Sequence, residues 1–166
     1  MATLIAIPLL GILVILQTTV VSRMPLLQGT ADLVLLAIIA WALQKKVRTA
    51  WEWSIIGGLM VNLASALPLG IPLVAYGLST GMAIFLHKRV WQVPLLAMFV
   101  VTFFGTLITQ SVSLVALRLA GSPIQLGEAF TIITLPSLVL NLILSVPAYA
   151  LFSELAHWIY PEEIEV

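Results

Sequence analysis

Residues 53–86 read WSIIGGLMVNLASALPLGIPLVAYGLSTGMAIFL, and none of them is charged. A single helix of that length would measure about 51 Å at ~1.5 Å per residue, against a bilayer hydrocarbon core of about 30 Å. The stretch must therefore fold back on itself. Its turn falls at 67–72, Leu-Pro-Leu-Gly-Ile-Pro, where two prolines and a glycine cannot continue a helix. This places one helix at 51–66 and the next at 71–87.

Outward from the hairpin the chain divides into further apolar segments. The run at 2–21 holds Pro8 and Gly11. It lacks the positive n-region of a signal peptide and is long for the apolar part of one, so it reads as a retained membrane helix. Arg23, Pro25 and Gly29 break the chain before a short segment at 31–43, whose apolar start borrows Leu26 and Leu27. That segment closes with Trp41 and meets Lys45, Lys46 and Arg48. A fifth segment at 93–119 carries Pro94 in its first turn and stops at Gly121-Ser122-Pro123. A sixth at 130–160 contains Pro136 and Pro147, each expected to kink it. The tail carries Glu162, Glu163 and Glu165. With no internal repeat and no linker, residues 1–166 read as a single transmembrane domain.

Composition agrees with that division. Of 166 residues, 61% are apolar and 8% are charged. A soluble domain is about 45–50% apolar and about 25% charged. Too few charges remain to solvate a compact globule, and disorder requires the opposite balance. The expected fold is all-α, a polytopic membrane bundle of six transmembrane helices. Seven Lys plus Arg balance seven Asp plus Glu, which leaves no electrostatic case for nucleic acid. There is no cysteine, so thiolate chemistry and thiolate metal sites are excluded.

Six crossings put the 45–48 cluster and the 88–89 pair on one side, together five of the seven basic residues. Only Arg23 and Arg118 fall on the other. Positive residues stay in the cytoplasm, so both termini are expected there. Asp32 and Glu128 then lie near the outer side or within the membrane.

Polar residues inside the segments are the candidates for function. Thr102, Thr106, Thr109, Gln110 and Ser113 share one helix face, and Thr134, Ser137, Asn141 and Ser145 share another. Lipid tails cannot hydrogen-bond, so both faces should turn inward. They either pack helix on helix or line a pocket for a ligand or partner helix. Asp32 either caps the second helix or acts as an intramembrane acid. Asn62 needs partners and should face protein, as polar glue or as a ligand contact. Gly77 and Gly81 form a G-x-x-x-G, which serves a contact within the bundle or a dimer seam. Glu52 should pair with a Lys or Arg at the interface. His87 and His157 read as separate interfacial side chains, with no acid at metal-ligand spacing. No hydrolase, metalloprotease, Walker or dinucleotide motif occurs, and paired intramembrane carboxylates are absent. Neither an enzyme nor a cofactor or metal is therefore expected. An ion-coupled transporter is not expected either, since it would place charge at the midplane.

Three stretches resemble a known family. Ala31-Asp-Leu-Val-Leu-Leu-Ala-Ile-Ile-Ala-Trp-Ala-Leu43 resembles the second helix of MreD, the rod-shape-determining membrane proteins, where Pro-Asp-Leu precedes a Leu-rich run and an aromatic. The Gly-rich stretch at 56–70, ending Asn-Leu-Ala-Ser-Ala-Leu-Pro-Leu-Gly, is similar to the family's third helix. Leu135-Pro-Ser-Leu-Val-Leu-Asn-Leu142 is similar to its last. Two positions depart: Ala31 stands for the usual proline, and Asn62 for the usual acid, keeping hydrogen bonding and losing charge.

The resemblance covers the chain from about Pro25 onward and implies a non-catalytic adaptor. MreD proteins work in the bacterial cytoplasmic membrane with the single-span protein MreC, the MreB filament, RodA and a class B penicillin-binding transpeptidase in cell-wall elongation. It also implies a fold similar to the substrate-binding subunits of energy-coupling-factor vitamin transporters, which supplies the alternative function. Asp32, Asn62, Ser65, Gly70, Gln110 and Asn141 are then the interior or partner-groove positions.

Overall fold

The computed structural model describes residues 2–19, 29–87, 93–123 and 125–161. Its elements are helices: α1 (Ala2–Thr19), α2 (Leu33–Ala42), α3 (Ala50–Ala64), α4 (Ile71–His87), α5 (Pro94–Leu119), α6 (Leu126–Ala129) and α7 (Leu135–Ile159). A π-helical turn at Phe130–Thr134 joins α6 to α7, so 127–159 runs as one helical rod. The last segment thus starts before residue 130. The wide turn ends just ahead of Pro136, whose ring would otherwise press on the carbonyl four residues back. Three stretches, Ala2–Thr19, Pro94–Leu119 and Gly127–Ile159, are long and apolar enough to cross a membrane, while α2 and α4 are shorter apolar helices. Arg23, the Lys88–Arg89 pair and the Glu162–Glu165 tail lie outside the described residues.

The uncharged stretch folds back where two prolines and a glycine fall. Pro72 sits in the first turn of α4, where its missing N–H is no loss. Gly70 adopts φ +88°, and its N–H donates to Asn62 Oδ1 at 2.9 Å. The Leu67 N–H donates to Ser65 Oγ at 3.4 Å. Asn62, Ser65 and Gly70, candidates for interior or partner-groove positions, are half-buried at this turn, where the Asn62 amide bonds protein backbone. Asn62 lies in the last turn of α3, close enough for its short amide to reach the loop backbone. A Cβ on Gly70 would meet nothing within 4 Å. Gly70→Ala should therefore cost only the left-handed backbone strain, about 1–2 kcal/mol, read as a lower unfolding midpoint in mixed detergent micelles.

The helices alternate in direction. Lys45 and Lys46 after α2, His87 ending α4, Pro94 opening α5, and His157 and Tyr160 at the close of α7 surround one groove. At the same end the Thr3 hydroxyl, at the start of α1, donates to Glu52 at the start of α3. Glu52 is exposed and bonds Thr3, where a Lys or Arg was expected, because α1 lies beside α3. The chain thus begins α1, α3 and α5 at the basic end and finishes α2, α4 and α7 there.

α2 is the central pillar. Its residues from Val34 to Ala42 are buried, most at 0% exposure. A helix apolar on every side is stable only when surrounded, and α1, α3, α4, α5 and α7 all contact this one. Glycine lets them approach. A Cβ on Gly57 would meet Ile38 Cδ1 at 2.8 Å, and one on Gly105 would meet Ile39 Cδ1 at 3.0 Å. On the other side of α3, a Cβ on Gly58 would lie 2.8 Å from Leu73 Cα, which sets the spacing of the hairpin. At the basic end Trp41 and Trp53 stack at 4.4 Å, with Phe152 edge-on to Trp53 at 5.9 Å. The Trp41 Nε1–H donates to Thr49 Oγ1 at 3.1 Å.

Candidate functional site

With 10 residues, α2 is about 15 Å long, half of a ~30 Å hydrocarbon core. It fills the basic half of the bundle, and its N-terminus opens at mid-height. Thr106 stands about 18 Å along α5 from the Pro94 end, and Tyr76 about 16 Å from the His87 end of α4. Both meet the start of α2. Asp32 therefore lies deep in the bundle rather than near its outer end, at the cap position that the sequence offered as one of its two readings.

A helix start leaves free N–H groups, and in an apolar interior each one is costly. Here α1, α7 and Asp32 itself supply acceptors. The Leu35 N–H donates to Asp32 Oδ1 at 2.9 Å, so Asp32 is the N-cap. The Val34 N–H donates to Gln17 Oε1 on α1 at 3.3 Å. The Leu36 N–H donates to the Asp32 carbonyl at 3.1 Å. The Asp32 N–H donates to Asn141 Oδ1 on α7 at 2.8 Å, and Asn141 Nδ2 donates to Thr106 Oγ1 on α5 at 3.0 Å. The Tyr76 hydroxyl on α4 lies 2.9 Å from both carboxylate oxygens of Asp32 and donates to them. One turn further, the Thr30 N–H donates to Ser137 Oγ at 3.0 Å.

The cluster ties α1, α2, α4, α5 and α7 together at one point. Gly29 belongs to it: a Cβ there would sit 2.6 Å from the Ser137 backbone nitrogen. Asn141 is 1% exposed and Ser137, Tyr76 and Thr106 are equally enclosed, while Asp32 is half-buried. The stripes expected to turn inward do so in part. Thr102, Thr106, Thr134, Ser137, Asn141 and Ser145 are buried, whereas Thr109, Gln110 and Ser113 are half-buried beyond the cluster.

Of the interior candidates, the structure unites Asp32 and Asn141. Asn62, Ser65 and Gly70 form the hairpin turn, and Gln110 lies further along α5. A Cβ on Gly81 would meet the Trp51 ring at 3.4 Å, an ordinary contact, but one on Gly77 would meet nothing within 4 Å, so the two do not form a close-approach seam inside the bundle. Three residues separate them, so they share a face, but Gly77 lies one turn nearer the start of α4, where no neighbour comes as close. Gln17 and Tyr76 were missed as site residues. Gln17 is the one amide in its apolar run and Tyr76 the one phenol in its helix, which was the available signal.

The cluster offers no nucleophile with an adjacent base, and among the described residues no group of three metal-ligating side chains comes together. Its acceptors and donors are engaged with one another, so its chemistry is that of a fixed joint. No known protein family, curated protein or solved structure matches the chain.

Proposed function

We propose that this chain is a non-catalytic adaptor of the bacterial cytoplasmic membrane, of the MreD type. It crosses the membrane six times with both termini in the cytoplasm and binds the single transmembrane helix of an MreC-like protein. MreB, RodA and a class B penicillin-binding transpeptidase are its wider partners in cell-wall elongation. The observation that carries this reading is the division of polar and apolar surface. The polar groups around the start of α2 bond each other, whereas a vitamin-capturing subunit would keep them for its ligand; the buried hydroxyls of Thr80, Thr102 and Thr134 stand apart from this joint, without a hydrogen-bond partner among the described residues. The outer helix faces are apolar and open.

α1 shows this most clearly, with 17% of its span buried. Ala2, Ala6 and Leu10 face the bundle while Leu4, Ile7, Ile12 and Ile15 face out. On α4, Val74, Leu78 and Phe85 are exposed beside Gly77, whose bare backbone admits a close-packed helix. Association in lipid depends on such packing, since no hydrophobic force acts between helices there. The three stretches that resemble MreD proteins add the choice of partner.

The test is the intact mass spectrum of the complex purified from its own membrane. A stoichiometric single-span chain with an extracytoplasmic domain is expected. A stoichiometric small molecule without such a chain defeats the reading. Gly77→Leu should cut the copurified partner several-fold while the chain keeps its own unfolding midpoint; unchanged yield removes α4 as the docking face.

A further inference from the structure

The groove at the basic end has a volume of about 280 Å³ and lies among the ends of α2, α4, α5 and α7. Its polar wall brings Gln44, Lys45, Lys46, His87, Ser153 and His157 together from three helices. No carboxylate lines it among the described residues. Leu43, Pro94, Ala97 and Ala156 also line it, and Val93, Leu96 and Trp158, each close in the chain to a lining residue, are exposed. One cavity thus joins two ammonium groups and two imidazoles, with exposed apolar residues close by.

We infer that this groove binds a phosphate-bearing anion, with Lys45 and Lys46 as its principal charge partners. Among the described residues Lys46 Nζ bonds the Pro161 carbonyl at 3.4 Å, an exposed contact that an anion readily replaces. His157 Nδ1–H donates to the Ser153 carbonyl at 2.7 Å, which fixes the ring and leaves Nε2 as the free edge. Two further features favour a phospholipid headgroup as the source. The cationic end of the bundle is the one placed at the cytoplasmic leaflet, where anionic lipids gather. The exposed apolar residues beside the groove offer a path for acyl chains. Glu162, Glu163 and Glu165 follow in the sequence, so the full chain must be used in any test.

The test takes the purified chain in detergent without a partner, so its outcome is separate from that of the adaptor reading. Native mass spectrometry reads retained lipid as phosphatidylglycerol or phosphatidylcholine is titrated. Phosphatidylglycerol is expected to be retained several-fold more. At about fivefold per lysine near a membrane surface, Lys45→Gln with Lys46→Gln should lower its retention on the order of 30-fold. Lys45→Arg with Lys46→Arg should keep it. If the glutamine pair loses helix content by circular dichroism, exposed His157→Gln replaces it, with a two- to threefold loss expected. Displacement by millimolar inorganic phosphate assigns the site to free phosphate, and failure to displace assigns it to the headgroup. Equal retention of both lipids with no lysine-dependent phosphate binding overturns the inference, as does unchanged retention in a folded glutamine pair.

Discussion

Asp32→Ala should lower the stability of the chain by about 2–4 kcal/mol. The loss has two parts. The Leu35 N–H loses its cap, worth about 1 kcal/mol. The Tyr76 hydroxyl, 1% exposed, loses the acceptor to which it donates, and a buried donor left unpaired costs about 1–3 kcal/mol. Water cannot easily make up the difference at mid-height in a bundle. Equilibrium unfolding in mixed micelles, followed by tryptophan fluorescence, measures it. Asp32→Asn keeps an acceptor for both donors and should cost less than half as much. The decisive control is a double-mutant cycle with Tyr76→Phe. Removing both partners should cost less than the two single changes together, by about 0.5–3 kcal/mol. Additive effects would mean that Asp32 and Tyr76 do not act on each other, and the joint would lose its centre.

The second large effect belongs to Gly58. A leucine there drives a side chain into the backbone of Leu73, whose Cα lies 2.8 Å from the site of the new Cβ. Backbone cannot swing aside as a side-chain tip can, so α3 and α4 must separate. Overpacking costs about 1–3 kcal/mol when a core can adjust. The hairpin has less room than that, so Gly58→Leu should cost at least about 3 kcal/mol and lower the yield of folded protein. Gly77→Leu is the counterpart on the next helix. It has nothing within 4 Å and exchanges a poor helix former for a good one. Its midpoint should stay level or rise by up to about 1 kcal/mol. If Gly77→Leu unfolds the chain and Gly58→Leu does not, the packing of α3 on α4 described above is wrong.

The two glycines show where sequence patterns stop. G-x-x-x-G at 77–81 has the motif, yet the close approaches occur at Gly57, Gly58 and Gly105, which have none. A motif records that backbone can be exposed on one face. It carries no information on which face a neighbour occupies.

The pairing of groups at the α2 start was equally hidden. Asp32 was legible as a cap from its place before an apolar run, and Asn141 as an inward residue from its stripe. Nothing in their spacing says that one N–H reaches the other's amide across 109 positions. His87 and His157 likewise read as unrelated until the ends of α4 and α7 met in one groove.

Charge and prolines alone determined that the chain is helical, that 53–86 turns back near Pro68 and Gly70, and that Lys45 and His87 share an end. Those features follow from costs local to the chain: helix length against bilayer thickness, a missing N–H, a left-handed glycine. Tertiary structure alone decided which apolar helix stands in the centre. Lipid and protein interior are equally free of water, so hydropathy reads enclosed α2 and peripheral α1 alike. Only the packing of five helices around the short α2 brings Asp32 to mid-height and gives the N–H groups of Asp32 and Val34 their partners on α7 and α1.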